Sequence, residues 1–125
     1  MVKKYNAAEK NFQIALQQTH TAQARVETLM SIATIYGIGN EVALSERYLK
    51  EAVQIDPGNS DAWTGLGNLA WMQGRLYEAI SLYEKAVSIN PQNYEAAMNL
   101  AMAYEKTGQS GRSALIRQQA TAIRR

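Results

Sequence analysis

Only one histidine, His20, and no cysteine are available for chemistry in this 125-residue chain. A thiolate nucleophile, a disulfide framework, a thiolate zinc site and an iron–sulfur cluster are therefore excluded. One imidazole is also too few for a self-contained multi-histidine metal site. For acid–base catalysis His20 would need a base or nucleophile fixed beside it, and no recognisable pattern supplies one. Its expected place near the end of a first helix suits a group that satisfies free carbonyls. Gly65-Leu66-Gly67-Asn68-Leu69-Ala70 has the GxGxxA spacing of a dinucleotide fingerprint. That fingerprint works only as a strand-to-helix turn bringing N–H groups to a pyrophosphate, whereas Gly67 falls on the apolar stripe of a helix. Gly37-Ile38-Gly39-Asn40 reads as an inter-helix turn rather than a phosphate cradle. Glu41, Glu46 and Glu51, and Glu78 with Glu84, are spaced as helix-surface charges, some near Lys50 and Lys85, and not as a metal cluster. The expectation is a non-catalytic chain with no cofactor and no metal.

The elements that carry these residues come from an internal repeat. At an offset of 34, Leu29, Trp63 and Ala97 align, then Ile32, Leu66 and Leu100, then Ala33, Gly67 and Ala101, then Tyr36, Ala70 and Tyr104. Their spacing of i, i+3, i+4 and i+7 is one face of a helix, and periods of this size mark stacked repeats. Asn40, Gly74 and Gly108 follow, residue types that tolerate the left-handed conformation ending a helix. A second set, Leu49, Tyr83 and Arg117, then Ala52, Ala86 and Ala120, then Ile55, Ile89 and Ile123, forms a second helix. Pro57 and Pro91 close two of the units. The spacing predicts helices at 22–37, 41–54, 60–73, 75–89, 94–107 and 111–124. A further helix at 3–19 carries Tyr5, Ala8, Phe12, Ala15, Leu16 and Thr19 on one face. Strands have no support, since no segment alternates with period two for long. Small residues such as Gly67, Ala33, Ala52 and Ala86 mark where helices approach, and large ones such as Trp63, Tyr83 and Tyr104 fill the spaces beside them.

Trp63-x-x-Leu66-Gly67, then Ala70, Gly74, Ala79, Tyr83, Ala86 and Pro91 resemble the tetratricopeptide repeat signature, nearly complete over 60–93. In 26–59 Ser45 stands for the usual Ala and Leu49 for the usual aromatic. In 94–125 the second helix departs most, with Ser110, Ser113 and Arg117 at apolar positions, as in a terminal cap. The resemblance implies an all-α, right-handed superhelical solenoid of about seven helices in one domain. It comprises an N-terminal helix at 3–20 resembling half a repeat, with Ala8, Phe12 and Ala15 matching, and repeats at 26–59, 60–93 and 94–125. The connection after that helix is about three residues longer than the repeat demands.

The resemblance also implies a concave surface lined by the first helices. Carried over by position, it takes Glu27, Met30, Thr34, Gly37 and Ile38 from the first repeat and Asp61, Thr64, Asn68, Trp71 and Met72 from the second. Glu95, Met98, Met102, Glu105 and Lys106 come from the third. A peptide or helix of a partner protein is the implied ligand. Met adapts to irregular partners and Trp is enriched in binding hot spots, although Trp71 and Met98 could instead fill space between first helices. Glu27, Asp61, Glu95 and Glu105 make the lining acidic and favour a basic or amphipathic ligand. Asn68 and Asn99 fall at the two Asn positions of a family subclass that clamps a C-terminal carboxylate. Thr64 replaces that clamp's first Lys, and the remaining cations are missing. The competing reading is self-association through Tyr5, Phe12 and neighbours on the unpaired first helix.

Charge divides unevenly along the chain. Residues 1–106 carry nine Lys/Arg against eleven Asp/Glu, while 107–125 carry Arg112, Arg117, Arg124 and Arg125 and no acid. Cations near a helix C-terminus suit its dipole, and nothing resembles a nucleic-acid fold or its aromatic pattern, so a nucleic-acid partner is not expected. No apolar run approaches the roughly 20 residues of a membrane span. The cysteine-free composition fits a cytoplasmic setting, with a periplasmic one open to a fragment of a longer protein.

Overall fold

In the computed structural model the backbone is described for residues 2–123 and side chains for residues 9–123. The side chains of Tyr5 and Ala8, and all of Arg124 and Arg125, lie outside the described residues. Seven helices and no strand occur among them: α1 (Val2–Gln17), α2 (Ala22–Ile38), α3 (Val42–Ile55), α4 (Ser60–Met72), α5 (Leu76–Ile89), α6 (Tyr94–Lys106) and α7 (Ser110–Ile123). No helix among the described residues is long and apolar enough to cross a membrane. The chain forms two compact units, Met1–Pro57 and Gly58–Arg125.

Three hairpins, α2–α3, α4–α5 and α6–α7, turn by the same chemistry. Asn40 (φ 62°), Gly74 (φ 76°) and Gly108 (φ 79°) adopt the left-handed conformation after each first helix. The next N–H then reaches back to a carbonyl one turn inside: Glu41 to Tyr36 at 2.8 Å, Arg75 to Ala70 at 2.9 Å and Gln109 to Tyr104 at 2.7 Å. This is the six-to-one closure that satisfies helix-end carbonyls. The Gly37–Asn40 segment is thus the end of α2 and its turn, as expected.

In the first unit, Val26, Leu29, Ile32, Ala33 and Tyr36 of α2 pack with Tyr48, Leu49 and Ala52 of α3 in the core. Ser45 is buried where Ala is usual, and its hydroxyl donates to the Ala33 carbonyl at 2.7 Å, so the polar group carries no unpaired-burial penalty. Helix α1 is held by aromatic contacts. Phe12 meets Tyr36 edge-on at 5.5 Å, and Tyr36 stacks on Tyr48 at 5.7 Å. The Tyr48 hydroxyl donates to Glu9 at 3.2 Å.

The connection after α1 differs from the sequence expectation. It spans four residues, 18–21, the same as the 90–93 link before α6. The extra residues form an additional first turn of α2 instead of a longer loop. Asn59 and Asn93 cap α4 and α6 by accepting from Ala62 and Ala96, each at 3.1 Å. The residue 34 positions before Asn59 is Arg25, which cannot cap in this way. The helix therefore continues back to Thr21, whose hydroxyl oxygen accepts from the Ala24 N–H at 3.0 Å. The Leu16 carbonyl at the end of α1 is taken by the Thr19 hydroxyl (2.6 Å) and the Arg25 guanidinium (3.4 Å). His20, expected near the helix end as a group that satisfies free carbonyls, is exposed in the connection, and Thr19 and Arg25 serve the Leu16 carbonyl.

The second unit has its core in Ala70, Ala79, Ile80, Tyr83, Leu100, Ala103 and Tyr104, drawn from α4, α5 and α6, with Trp71, Leu82, Val87 and Ile116 packed against it. Gly67 is the point of closest approach: a Cβ there would lie 2.5 Å from the Tyr83 ring. The Tyr83 ring can lie across α4 only because that side chain is absent.

Candidate functional site

Asn68 and Trp71 of α4 and Asn99 and Met102 of α6 meet at the edge of the core around Tyr83. Its ring crosses Gly67, and its hydroxyl emerges beside Asn68, donating to Oδ1 at 2.6 Å. The amide of Asn99, on α6, donates to the same oxygen at 3.0 Å. Asn68, Trp71, Tyr83, Asn99 and Met102 line a cleft of about 90 Å³. Burial, with the Glu95 carboxylate nearby, pushes Tyr83 up to about 12, so its hydroxyl stays protonated and donates throughout the neutral range.

A second polar cluster fixes α6 against α4 and α5. The Asn93 amide nitrogen donates to Ser60 Oγ (2.8 Å), Asp61 Oδ1 (3.2 Å) and Thr64 Oγ1 (3.3 Å). Ser60 donates onward to the Ala86 carbonyl at 2.8 Å. One asparagine therefore caps its own helix and ties it to α4, and Ser60 carries the link on to α5. Spacing alone marked neither Asn93 nor Ser60. The signal was Asn at 59 and 93, immediately before each first helix, which is N-cap chemistry.

Of the candidates from the second and third repeats, the cleft brings together Asn68, Trp71 and Met102. Trp71 is half-buried with part of its indole against the core, so it both packs and lines the opening. Met72 and Met102 are about half exposed, at 55% and 51%. Asp61, Glu95, Glu105 and Lys106 are exposed, and Met98 is half-buried. Thr64 requires a correction. It is buried, and its hydroxyl donates to the Ser60 carbonyl at 2.9 Å while accepting from Asn93; it is part of the junction beneath the surface. In the first unit, Glu27 and Thr34 are exposed and Met30 and Gly37 half-buried, while Ile38 is 82% exposed. The Thr34 hydroxyl donates to the Met30 carbonyl within α2 at 2.9 Å.

Other charges are largely spoken for. Glu46 pairs with Lys50 at 2.7 Å and Arg75 with Glu78 at 2.9 Å. Glu84 accepts from the Tyr104 hydroxyl at 2.5 Å, and Lys85 lies 5.7 Å from the Trp63 ring centroid. No group of three His, Asp or Glu side chains among the described residues is placed to hold a metal ion.

Family models described as tetratricopeptide repeat match residues 60–93 and 82–114. The chain is a tetratricopeptide-repeat protein. Its repeats are 38% identical over 71 residues to a peroxisomal targeting signal receptor of Candida albicans, covering 55% of this chain and 12% of the receptor. Among solved structures, an O-GlcNAc transferase mutant of Thermobaculum terrenum matches with a TM-score of 0.77 and 29% identity, over 86% of this chain and 21% of the transferase chain. The crystal structure of MamA matches with a TM-score of 0.75 and 21% identity, over 82% and 64% of the two chains, a likeness of fold. This repeat chain thus spans about an eighth of the receptor it matches. Its fold class is all-α, of the tetratricopeptide kind.

Proposed function

We propose that this chain is a non-catalytic protein-interaction module and that the outer face of α4 and α6 holds a peptide segment of its partner. The observation that carries the reading is the amide pair set between an indole and a thioether. After the two bonds to Asn68 Oδ1, Asn68 keeps its N–H donors and Asn99 its carbonyl acceptor. One donor and one acceptor side by side suit a peptide group, and Trp71 and Met102 suit an apolar side chain next to it. Asp61 and Glu95, exposed on the same two helices, favour a basic or amphipathic segment. The organisation that goes with this reading is a single domain of three repeats, 26–59, 60–93 and 94–125, preceded by half a repeat.

Selection of displayed random peptides on the purified chain tests it. Enriched peptides should lose roughly tenfold or more in affinity against Trp71→Ala with Met102→Ala, the scale of a hot-spot truncation, while circular dichroism stays unchanged. Equal binding to wild type and variant refutes the assignment.

A second reading, self-association through α1, draws on Ile14, which is 53% exposed. Phe12, expected to contribute to such an interface, is instead half-buried against Tyr36. A monomer in sedimentation at high concentration removes this reading.

A further inference from the structure

A larger cleft lies elsewhere in the second unit, between α5, the start of α6 and α7. It measures about 420 Å³ and is lined by Val87, Pro91, Ala97, Ile116, Gln119 and Ile123 among others. The repeat register explains why it is open. The position occupied by Leu29 and Trp63 in the earlier repeats is Ala97 here, so the side chain that would fill the space is missing. In the second repeat the Trp63 indole lies 5.7 Å from Lys85 Nζ, and the residue 34 positions after Lys85 is Gln119, on the cleft. The same fold thus seats an indole at this register one repeat earlier, beneath the same second-helix position.

From this we infer that the cleft is a socket for an aromatic side chain of an acidic partner segment. The apolar walls supply the contact area that an aromatic ring requires, and the volume lies in the range of sites that enclose one. The acidity follows from charge complementarity. Arg112 stands one helical turn before Ile116 on the same face of α7, exposed, with its guanidinium 6.0 Å from the Tyr104 ring centroid and donating to Gln109; Arg117, also exposed, follows Ile116 and donates to Ser113 at 3.3 Å; and no acid occurs in residues 107–125. The preferred occupant is therefore opposite in charge to the one favoured by the α4–α6 face, and the two sites can be told apart.

The test uses the isotopically labelled full chain and a synthetic peptide with one Trp flanked on both sides by Asp and Glu. Backbone amide shifts of Ala97, Ile116 and Gln119 should move and saturate. A peptide with Ala for Trp, or Lys for the acids, should bind at least about tenfold more weakly. Ala97→Trp should fill the socket from within, leaving the melting temperature equal or higher and weakening the peptide by a similar factor. Gln119→Glu, at an exposed rim position, should weaken it by repulsion without touching the core. The inference is overturned by any of four results: no shifts, shifts confined to Asn68, Trp71, Asn99 and Met102, equal binding of the Lys peptide, or a lowered melting temperature in Ala97→Trp. The first, third and fourth leave the α4–α6 reading standing, because that face is probed by different residues and prefers basic peptides.

Discussion

The junction between α1 and α2 and the junction between α5 and α6 occupy equivalent places in the repeat pattern, yet they are built differently. At the second, Asn93 caps α6 and binds Ser60, Asp61 and Thr64 through one amide. At the first, Arg25 stands in the Asn93 register. Its guanidinium reaches the Leu16 carbonyl at 3.4 Å, the cap retreats to Thr21, and the contact depends on Phe12, Tyr36, Tyr48 and Glu9. A short amide at a helix start can bind several atoms of a neighbouring helix, because its donors lie close to the backbone, and Ser60 passes the link on to α5. A long cation can serve one carbonyl and leaves the tertiary work to aromatic rings. A parallel contrast exists inside the hairpins: the 34-residue register sets buried Ala33 and Leu49 in the first where Gly67 meets the Tyr83 ring in the second, trading bulk from one helix to the other.

The strongest test of this contrast is Gly67→Leu, which should drive a side chain into the Tyr83 ring and cost about 3 kcal/mol in urea unfolding. Gly67→Ala combined with Tyr83→Leu transplants the first hairpin's pair and should recover most of what Gly67→Ala alone loses. Additive losses in that double variant would show that the two residues do not trade volume.

Alkaline titration comes next. Tyr83 and Tyr104 are both raised to about 12, chiefly by burial, with Glu95 acting on the first and the Glu84 bond and charge on the second. The fold keeps these protons where the unfolded chain releases them near the ordinary value of 10.0. The stability they contribute is complete below pH 10 and is lost as pH rises through about 12. Tyr83 alone should account for roughly 2 kcal/mol. Replacing Tyr83 with Phe should flatten that loss in denaturant curves taken across the window; an unchanged slope would contradict the burial argument.

The smallest effects distinguish the junctions themselves. Asn93→Ala should cost about 2 kcal/mol, combining a lost cap with severed side-chain bonds. Arg25→Ala should cost less than about 0.5 kcal/mol, as expected of an accessible bond to one carbonyl. Equal costs by thermal melting would mean that the two junctions are energetically alike despite their different parts.

Much of this architecture is legible in the sequence. The 34-residue recurrence of Leu, Ile, Ala and Tyr placed the first helices. Asn40, Gly74 and Gly108 placed their ends, because few other residues accept a positive φ. Gly67 could be read as a close approach, since only a missing Cβ explains Gly on an apolar helical stripe. The extra turn of α2 was less visible. It depends on Arg25 failing to cap, a local contest between helix continuation and side-chain chemistry that a repeat template does not register. Thr64 was misplaced for a related reason: its position on the helical wheel is off the main stripe, but Asn93, 29 residues later, closes over it.

Local periodicity and cap chemistry, then, already determined the helices, their turns and the pairing within each hairpin, since these depend on residues within a few turns of one another. Which polar atoms remained open was decided only in three dimensions. Asn68 and Asn99 become one amide pair because Tyr83 crosses Gly67, and the α5–α7 cleft exists because Ala97 leaves unfilled what Trp63 fills one repeat earlier. Both depend on volumes and hydrogen bonds summed over three helices, a quantity that no single stretch of sequence contains.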